Sequence, residues 1–347
     1  MRGKHLNGLL TSIWPAIAPH LPAPWQETPL AAEPAGPSTH RSARVWKVAF
    51  PGGRALAVKL AAPGAPVDGE GRVLSWLRQQ GAPVPEVVAI APQTPAPWLA
   101  LEWCGEQTLD DLVQAATPSR LARLGRHLAL AVGAVEQAFA PISGRSRAST
   151  QTWDERVAAL RAQAAPWIEA APRALAWLTA GSPSPATLRA LQATLEQALD
   201  AGPDVGSLDY NARNVVIQGQ RLTLLDFAAT GIDWPQRRLV QYGTATGAHG
   251  GTFVTVIGPA SVRTYAAHVS PLHGMQPPEV QQSVDAHEVL LLLTAASGLQ
   301  QVAAGTAHPA RAAAWANVEA RRQRLLALLR RRLVRGGAAD AFRTQLT

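Results

Sequence analysis

The sequence predicts an α+β protein of two lobes, a small β-rich N-terminal lobe and a larger, mostly helical C-terminal lobe. Three observations lead there. Short apolar segments punctuated by Pro and Gly crowd residues 43–103, with a single helical pattern among them. Ala/Leu/Arg-rich helical patterns dominate from about residue 119 onward. The chain has 347 residues, 47% of them hydrophobic, enough for two domains or one large two-lobed unit. The expected division is 1–102 and 103–347, with a connector near 102–107.

Taken in order, residues 1–20 read as a helical arm. The run MRGKHLNGLLTSIWPAIA faintly mimics a signal peptide, but Asn7, Ser12 and Pro15 interrupt it, and a cytoplasmic protein is expected. Residues 22–40 are rich in Pro, Ala and Gly without a period and read as loop or irregular edge. Ala43–Phe50 alternates as a strand, Pro51-Gly52-Gly53-Arg54 turns, and Ala55–Leu60 returns as the second arm of a hairpin. Glu70–Gln80 places Val73, Leu74 and Leu77 at helical spacing and stops at Gly81, before Pro83 and Pro85. Val87–Ile90 and Trp98–Trp103 read as two more strands. Thr108-Leu109-Asp110-Asp111 has capping-box character and opens a helix to about Ala116. Helical patterns then fill 119–139 and much of 152–200. A small hairpin follows, Val215–Ile217 and Leu222–Leu225 about Gly219-Gln220. Helices resume beyond 236 and close with Ala312–Val334. No internal repeat is present.

Composition removes several classes of function. One cysteine, Cys104, excludes an internal disulfide scaffold and any zinc site needing two thiolates. The longest apolar runs, such as Val289–Leu293, fall far short of the roughly 20 residues of a membrane helix. Net charge is +8, but residues 321–335 carry seven Arg and no acid, so the remaining residues sum to +1. A nucleic-acid face should be spread over the fold, and this charge sits in one terminal segment. That segment sets Leu325, Leu328, Leu329 and Leu333 on one face, which reads as a closing helix docked on the helical lobe. Binding of acidic lipid or nucleic acid is the sharper alternative.

Only three of the 32 basic residues are Lys: Lys4, Lys47 and Lys59. Lys59 lies inside Ala-Leu-Ala-Val-Lys-Leu, on the strand face of Ala55 and Ala57 and opposite Leu56, Val58 and Leu60. Taken alone it could be an edge lysine in solvent. Glu70 sits on the apolar face of its helix, three, four and seven residues before Val73, Leu74 and Leu77. A carboxylate there costs free energy unless paired, and Lys59 is a plausible partner; a first-turn acid favoured by the helix dipole is the plainer reading. Two of the four Asn in the chain fall in Ser207-Leu-Asp-Tyr-Asn-Ala-Arg-Asn214, beside Asp209. Asp226 follows the apolar Leu224-Leu225, 17 residues beyond Asp209. Either Asp alone reads as a turn or cap. Together, Asp209, Asn214 and Asp226 supply only oxygens, a set suited to Mg²⁺.

Val58-Lys59 on a strand, Glu70 on the next helix, Asp209-x-x-x-x-Asn214 and Asp226-Phe227 stand in the order of the protein-kinase-like signature set. The chain resembles most closely the aminoglycoside phosphotransferase family and related small-molecule kinases over about residues 40–235. Glu70 through Glu86 looks like that family's helix and its exit, and Leu101-Glu-Trp-Cys-Gly-Glu-Gln-Thr-Leu like its connector. The family's His and Gly before the catalytic Asp are here Ser207 and Leu208; the His normally braces the loop.

The resemblance implies a protein-kinase-like fold with the catalytic loop at 207–214 and the metal motif at 226–228. It implies transfer of the γ-phosphoryl group of Mg·ATP to a hydroxyl of a small molecule; a non-catalytic nucleotide-binding scaffold is the alternative. Lys59 would contact the α/β-phosphates and be held by Glu70. Glu102, Trp103 and Cys104 would present backbone groups to adenine, and Ser38 and Thr39 would offer donors to phosphate. Asp209 would accept or orient the proton of the acceptor hydroxyl, and Asn214 and Asp226 would hold Mg²⁺. Asp233 either braces the catalytic loop or marks a turn before Pro235.

Among other candidates, His249, His268, His273, His287 and His308 lack metal-ligand spacing. The eleven Trp could include a cage for a cationic substrate, although Trp at helical spacing is usually packing, and Trp46, Trp76 and Trp98 read as core of the small lobe. Residues 236–320 offer only Glu279, Asp285, Glu288 and Glu319 as acids, so a polycationic aminoglycoside is not the default acceptor. Sugars, amino alcohols and nucleoside-like alcohols all fit the sequence, which leaves the oligomeric state open.

Overall fold

A computed structural model describes residues 14–35, 45–60, 67–91, 97–148, 150–200, 202–247 and 250–333. The chain separates into two compact units, Met1–Glu106 with Gln218–Ala229, and Gln107–Ile217 with Thr230–Thr347. The expected division at 102/103 differs in two places, and side-chain and backbone bonds explain both. The connector up to Glu106 groups with the first unit, where Lys47 bonds Glu106. Residues 218–229, including the motif at 226–228, also join the first unit. Arg221 grips Glu102, the Leu224 N–H donates to the Pro83 carbonyl at 2.8 Å, and Asp226 meets Lys59.

The first unit begins with the short helix α1 (Trp14–Ile17) and strand β1 (Ala31–Pro34). β2 (Val45–Ala49) and β3 (Ala55–Leu60) form the expected hairpin, with Gly52 and Gly53 at φ 74° and 76° in its turn. α2 (Val67–Gln79) follows, then β4 (Val87–Ala91) and β5 (Trp98–Glu102). The five strands form a sheet in the order β1-β2-β3-β5-β4, antiparallel throughout. Of the two readings of residues 22–40, loop or irregular edge, β1 favours the edge: its register, Ala31 opposite Ala49 and Glu33 opposite Lys47, adds an edge strand that has no alternation strong enough to announce it.

Leu56 and Val58 turn into a core with Val48, Phe50 and Trp98. Each such aliphatic side chain contributes about 1.5–3 kcal/mol by burial. Trp98 lies in that core and Trp46 packs at its edge, whereas Trp76 is only half-buried and stands outside the cluster. α2 rests against β4 and β5 through Gly71, where any Cβ would collide with the Ile90 side chain. The close approach sets the height of Glu70 over the sheet.

The second unit opens with β6 (Gln107–Thr108) and α3 (Leu109–Leu112). The Thr108/Asp111 capping box forms as expected, but the helix ends at Leu112 rather than near Ala116. Two long helices follow, α4 (Pro118–Ala148) and α5 (Thr150–Thr179), then α6 (Pro185–Asp200) and β7 (Asp204–Ser207). β8 (Val215–Gln218) pairs with β6, and β9 (Arg221–Leu224) carries the chain into the first unit. β10 (Thr230–Asp233) pairs antiparallel with β7, Thr230 opposite Ser207 and Asp233 opposite Asp204. The remainder is α7 (Pro235–Tyr242), β11 (Thr244–Ala245), β12 (Val254–Thr255), α8 (Pro259–His273), α9 (Pro277–Ala303), α10 (Pro309–Ala314) and α11 (Val318–Leu333).

α11 contributes Leu325, Leu328 and Leu329 to a core shared with α5, α6 and α9, so the closing helix is docked. Its arginines are largely turned inward. Arg321 donates to the Thr246, Gly247 and Ala314 carbonyls, Arg324 to Phe253, and Arg332 to Ile257 while pairing with Glu288 at 2.5 Å. That expenditure explains why a segment so basic need not be a polyanion-binding face. Among the described residues no helix is long and apolar enough to cross a membrane.

Candidate active site

In the first unit, strand alternation turns Lys59 away from the core and toward α2. Its Nζ lies 3.0 and 2.8 Å from the two Glu70 carboxylate oxygens, and 3.0 Å from Asp226 Oδ1. Glu70 is buried, while Lys59 and Asp226 keep partial access to solvent. Asp226 adopts the left-handed backbone conformation at φ 62°, uncommon for a residue with a side chain, directly after β9. Burial works against the ammonium, but the Glu70 and Asp226 carboxylates outweigh it and hold the Lys59 pKa above its ordinary value. Burial likewise dominates at Glu70 and leaves its pKa raised against the pull of Lys59. The result is a fixed cation flanked by one buried and one accessible carboxylate.

In the second unit, Asp209 follows β7 and is exposed. Its N–H donates to Ser207 Oγ at 3.2 Å, and its Oδ1 accepts from Asn211 Nδ2 at 2.9 Å. Asn214 donates through Nδ2 to the Asp209 carbonyl at 3.0 Å, which leaves its amide oxygen as the accepting end. Asp233 bonds the Tyr210 hydroxyl and Arg237, the latter at 3.1 and 3.2 Å, so it does contact the loop. Those contacts go beyond what a plain turn before Pro235 requires.

The loop's main support was not foreseen. Arg238 on α7 is fully buried beneath it and pairs with Glu136 of α4 at 2.8 Å. Its Nε donates to the Ser207 carbonyl at 3.1 Å, and Nη2 donates to the carbonyls of Asp204 and Asp233. The guanidinium thus ties β7, β10 and the residue two before Asp209 into one hydrogen-bonded unit. Gly206 makes room for it, since a Cβ there would strike Arg238 Cζ. Burial pushes the Glu136 carboxyl up to about 7 against the pull of Arg238. The reasoning applied to Glu70 would have found Glu136, a carboxylate on the apolar face between Val132 and Phe139. Arg238 carries no comparable signal, because Arg237 and Arg238 read as an ordinary basic pair.

At the connector, Glu102 forms a two-point contact with Arg221, at 2.5 and 3.0 Å, which lowers its pKa, and its N–H is spent on the Glu86 carbonyl at 2.9 Å. Trp103 carries the Lys47 ammonium over its ring at 5.3 Å. Burial pushes the Cys104 thiol up to about 11, so it stays protonated at neutral pH. Ser38 and Thr39 lie outside the described residues. Among the described residues no group of three or more His, Cys, Asp or Glu is arranged to hold a metal ion. Asp226 in the first unit and Asn214 in the second each offer an oxygen donor of the kind that a hard cation such as Mg²⁺ prefers.

A lysine held by a helix glutamate and an aspartate after a short strand, with an Asp-x-x-x-x-Asn loop between, defines a kinase-like phosphotransferase. The chain belongs to the phosphotransferase enzyme family, whose model matches residues 36–253, and so is a kinase for hydroxyl groups of small molecules. No match was found among curated protein sequences. Similar solved structures include an aminoglycoside-3'-phosphotransferase of type VIII, 20% identical over 74% of this chain and 90% of that one, with a TM-score of 0.38. Macrolide 2'-phosphotransferase from Brachybacterium faecium is 17% identical over 78% and 86%, with a TM-score of 0.43. The gentamicin-APH(2")-IIa complex is 12% identical over 96% and 98%, with a TM-score of 0.43.

Proposed function

We propose that this phosphotransferase uses Mg·ATP and moves its γ-phosphoryl group to an alcohol, with Lys59, Glu70 and Asp226 handling the nucleotide and Asp209 the acceptor. The observation that carries the reading is the Lys59 ammonium held at 2.8–3.0 Å between Glu70 and Asp226. Such a cation is positioned before the nucleotide arrives, and phosphoryl transfer depends mainly on positioning and on neutralising developing charge. Glu70, buried, orients Lys59. Asp226, which is accessible, and the Asn214 amide oxygen are each proposed as ligands of Mg²⁺, which would supply charge neutralisation to the phosphates. Asp209, oriented through Asn211 and exposed, accepts or orients the hydroxyl proton. At the connector the Glu102 carboxylate is committed to Arg221 and its N–H to Glu86, so adenine recognition falls to the Glu102 carbonyl and the backbone of Trp103 and Cys104, and phosphate donors to Ser38 and Thr39.

The experiment is transfer of label from γ-labelled ATP to a panel of alcohols, alongside calorimetric titration with Mg·ATP. Acceptor-dependent transfer is the expected result. Nucleotide binding without transfer to any alcohol would favour the scaffold instead.

A further inference from the structure

The second unit contains a cavity of about 500 Å³ walled by α5, α9 and α10 side chains and reaching Asn211 of the catalytic loop. That volume suits a drug-sized ligand rather than a single small alcohol. Asn211 donates to Asp209 Oδ1 at 2.9 Å, so the cavity ends one hydrogen bond from the proposed proton acceptor. Its walls include Trp167, Leu292, Phe253 and Trp315, with Phe253 and Trp315 packed edge to face at 5.3 Å.

Aromatic walls invite a cation, but the charges here forbid one. Among the described residues lining the cavity there is no Asp or Glu, and the one charged side chain is Arg311. Guanidinium groups already occupy ring faces: Arg237 lies 4.3 Å from the Trp167 centroid, Arg311 5.8 Å from Trp315, and Arg321 5.7 Å from Phe253. An ammonium ligand would compete for the same quadrupoles while facing Arg311, with no carboxylate among the described lining residues to offset it.

We infer that the acceptor is a neutral or anionic alcohol with a flat apolar body, held between Trp167 and Trp315, and not an aminoglycoside or another polycation. The inference rests on the phosphotransferase reading for its hydroxyl, but binding to the cavity can be read without turnover. Three matched probes share a 2-naphthol ring and differ at position 6: hydroxymethyl, carboxylate or aminomethyl. Calorimetry with the nucleotide-free protein should give the hydroxymethyl and carboxylate compounds at least about 10-fold tighter dissociation constants than the aminomethyl compound or kanamycin. Gly298 on α9 faces the indole, with a Cβ falling 3.1 Å from Trp315, so Gly298→Leu should weaken every probe at least about 10-fold.

Arg311 is exposed on α10, and Arg311→Glu should invert the order of carboxylate and aminomethyl while retaining hydroxymethyl binding, which also certifies the fold. Tightest binding of a cationic probe, no binding by any probe, or indifference to Gly298→Leu would each overturn the inference. Binding in the expected order with no phosphoryl transfer to any probe or other alcohol would count against the phosphotransferase chemistry and leave the cavity assignment standing.

Discussion

Asp209→Asn should lower kcat by about 10²–10⁴ while the affinity for Mg·ATP stays within about two-fold. The substitution keeps the shape that Asn211 recognises and removes only the negative charge proposed to draw off the hydroxyl proton. A carboxylate acting in the transition state alone leaves ground-state nucleotide binding untouched, so the loss should fall on kcat and on kcat/KM for the acceptor equally. Steady-state kinetics with a competent acceptor checks it. Retained turnover would remove Asp209 from the chemistry.

The second large effect lies beneath the loop. Arg238→Met should destabilise the protein by about 3–5 kcal/mol, because it strands the Glu136 carboxylate in a site that is almost wholly buried. It also withdraws the donor from the carbonyls of Ser207, Asp204 and Asp233. Adding Glu136→Leu to Arg238→Met should recover most of the stability, since a buried ion pair is often replaceable by apolar packing. The double variant should nevertheless stay at least about 10-fold slower than the parent, because the backbone beside Asp209 has lost its tie. Urea melts and kcat measured on both variants separate the two effects. Full activity in the double variant would reduce Arg238 to a structural residue.

The pair Ser207-Leu208 takes on a physical meaning in this light. The family's bracing histidine is missing from the sequence, yet the loop is braced by a guanidinium entering from α7 past Gly206. Such a substitute cannot be read from the motif, because its donor lies 31 residues downstream and its counter-charge 71 residues upstream. Lys59 and Glu70 were legible for the opposite reason: each breaks a local period, one on a strand and one on a helix, within 11 residues. The hairpin of β2 and β3 and the extent of β5 followed from the same short-range patterns, whereas α2 begins at Val67, almost a turn before the Glu70 at which its apolar spacing starts.

β1, β7 and β10 were not legible. Residues 31–34 contain Ala, Ala, Glu and Pro, and the β7/β10 pairing joins segments separated by more than 20 residues whose sequences, DVGS and TGID, lack strand alternation. Tertiary context supplies their conformation. The charge of the C-terminal segment was legible as a sum but not as a destination, since its arginines are spent on carbonyls of distant loops.

Lys59 and Asp226, 3.0 Å apart, are proposed to form a prepared site for a metal-bound triphosphate. Calorimetric titration of ATP, with and without Mg²⁺, into the parent, Lys59→Met and Asp226→Ala proteins tests it most directly. Binding should require Mg²⁺ in the parent, weaken at least about 10-fold in Lys59→Met, and lose its Mg²⁺ dependence in Asp226→Ala. Equal affinity in all three proteins, or parent binding indifferent to Mg²⁺, would rule out a prepared metal–triphosphate site at Lys59 and Asp226.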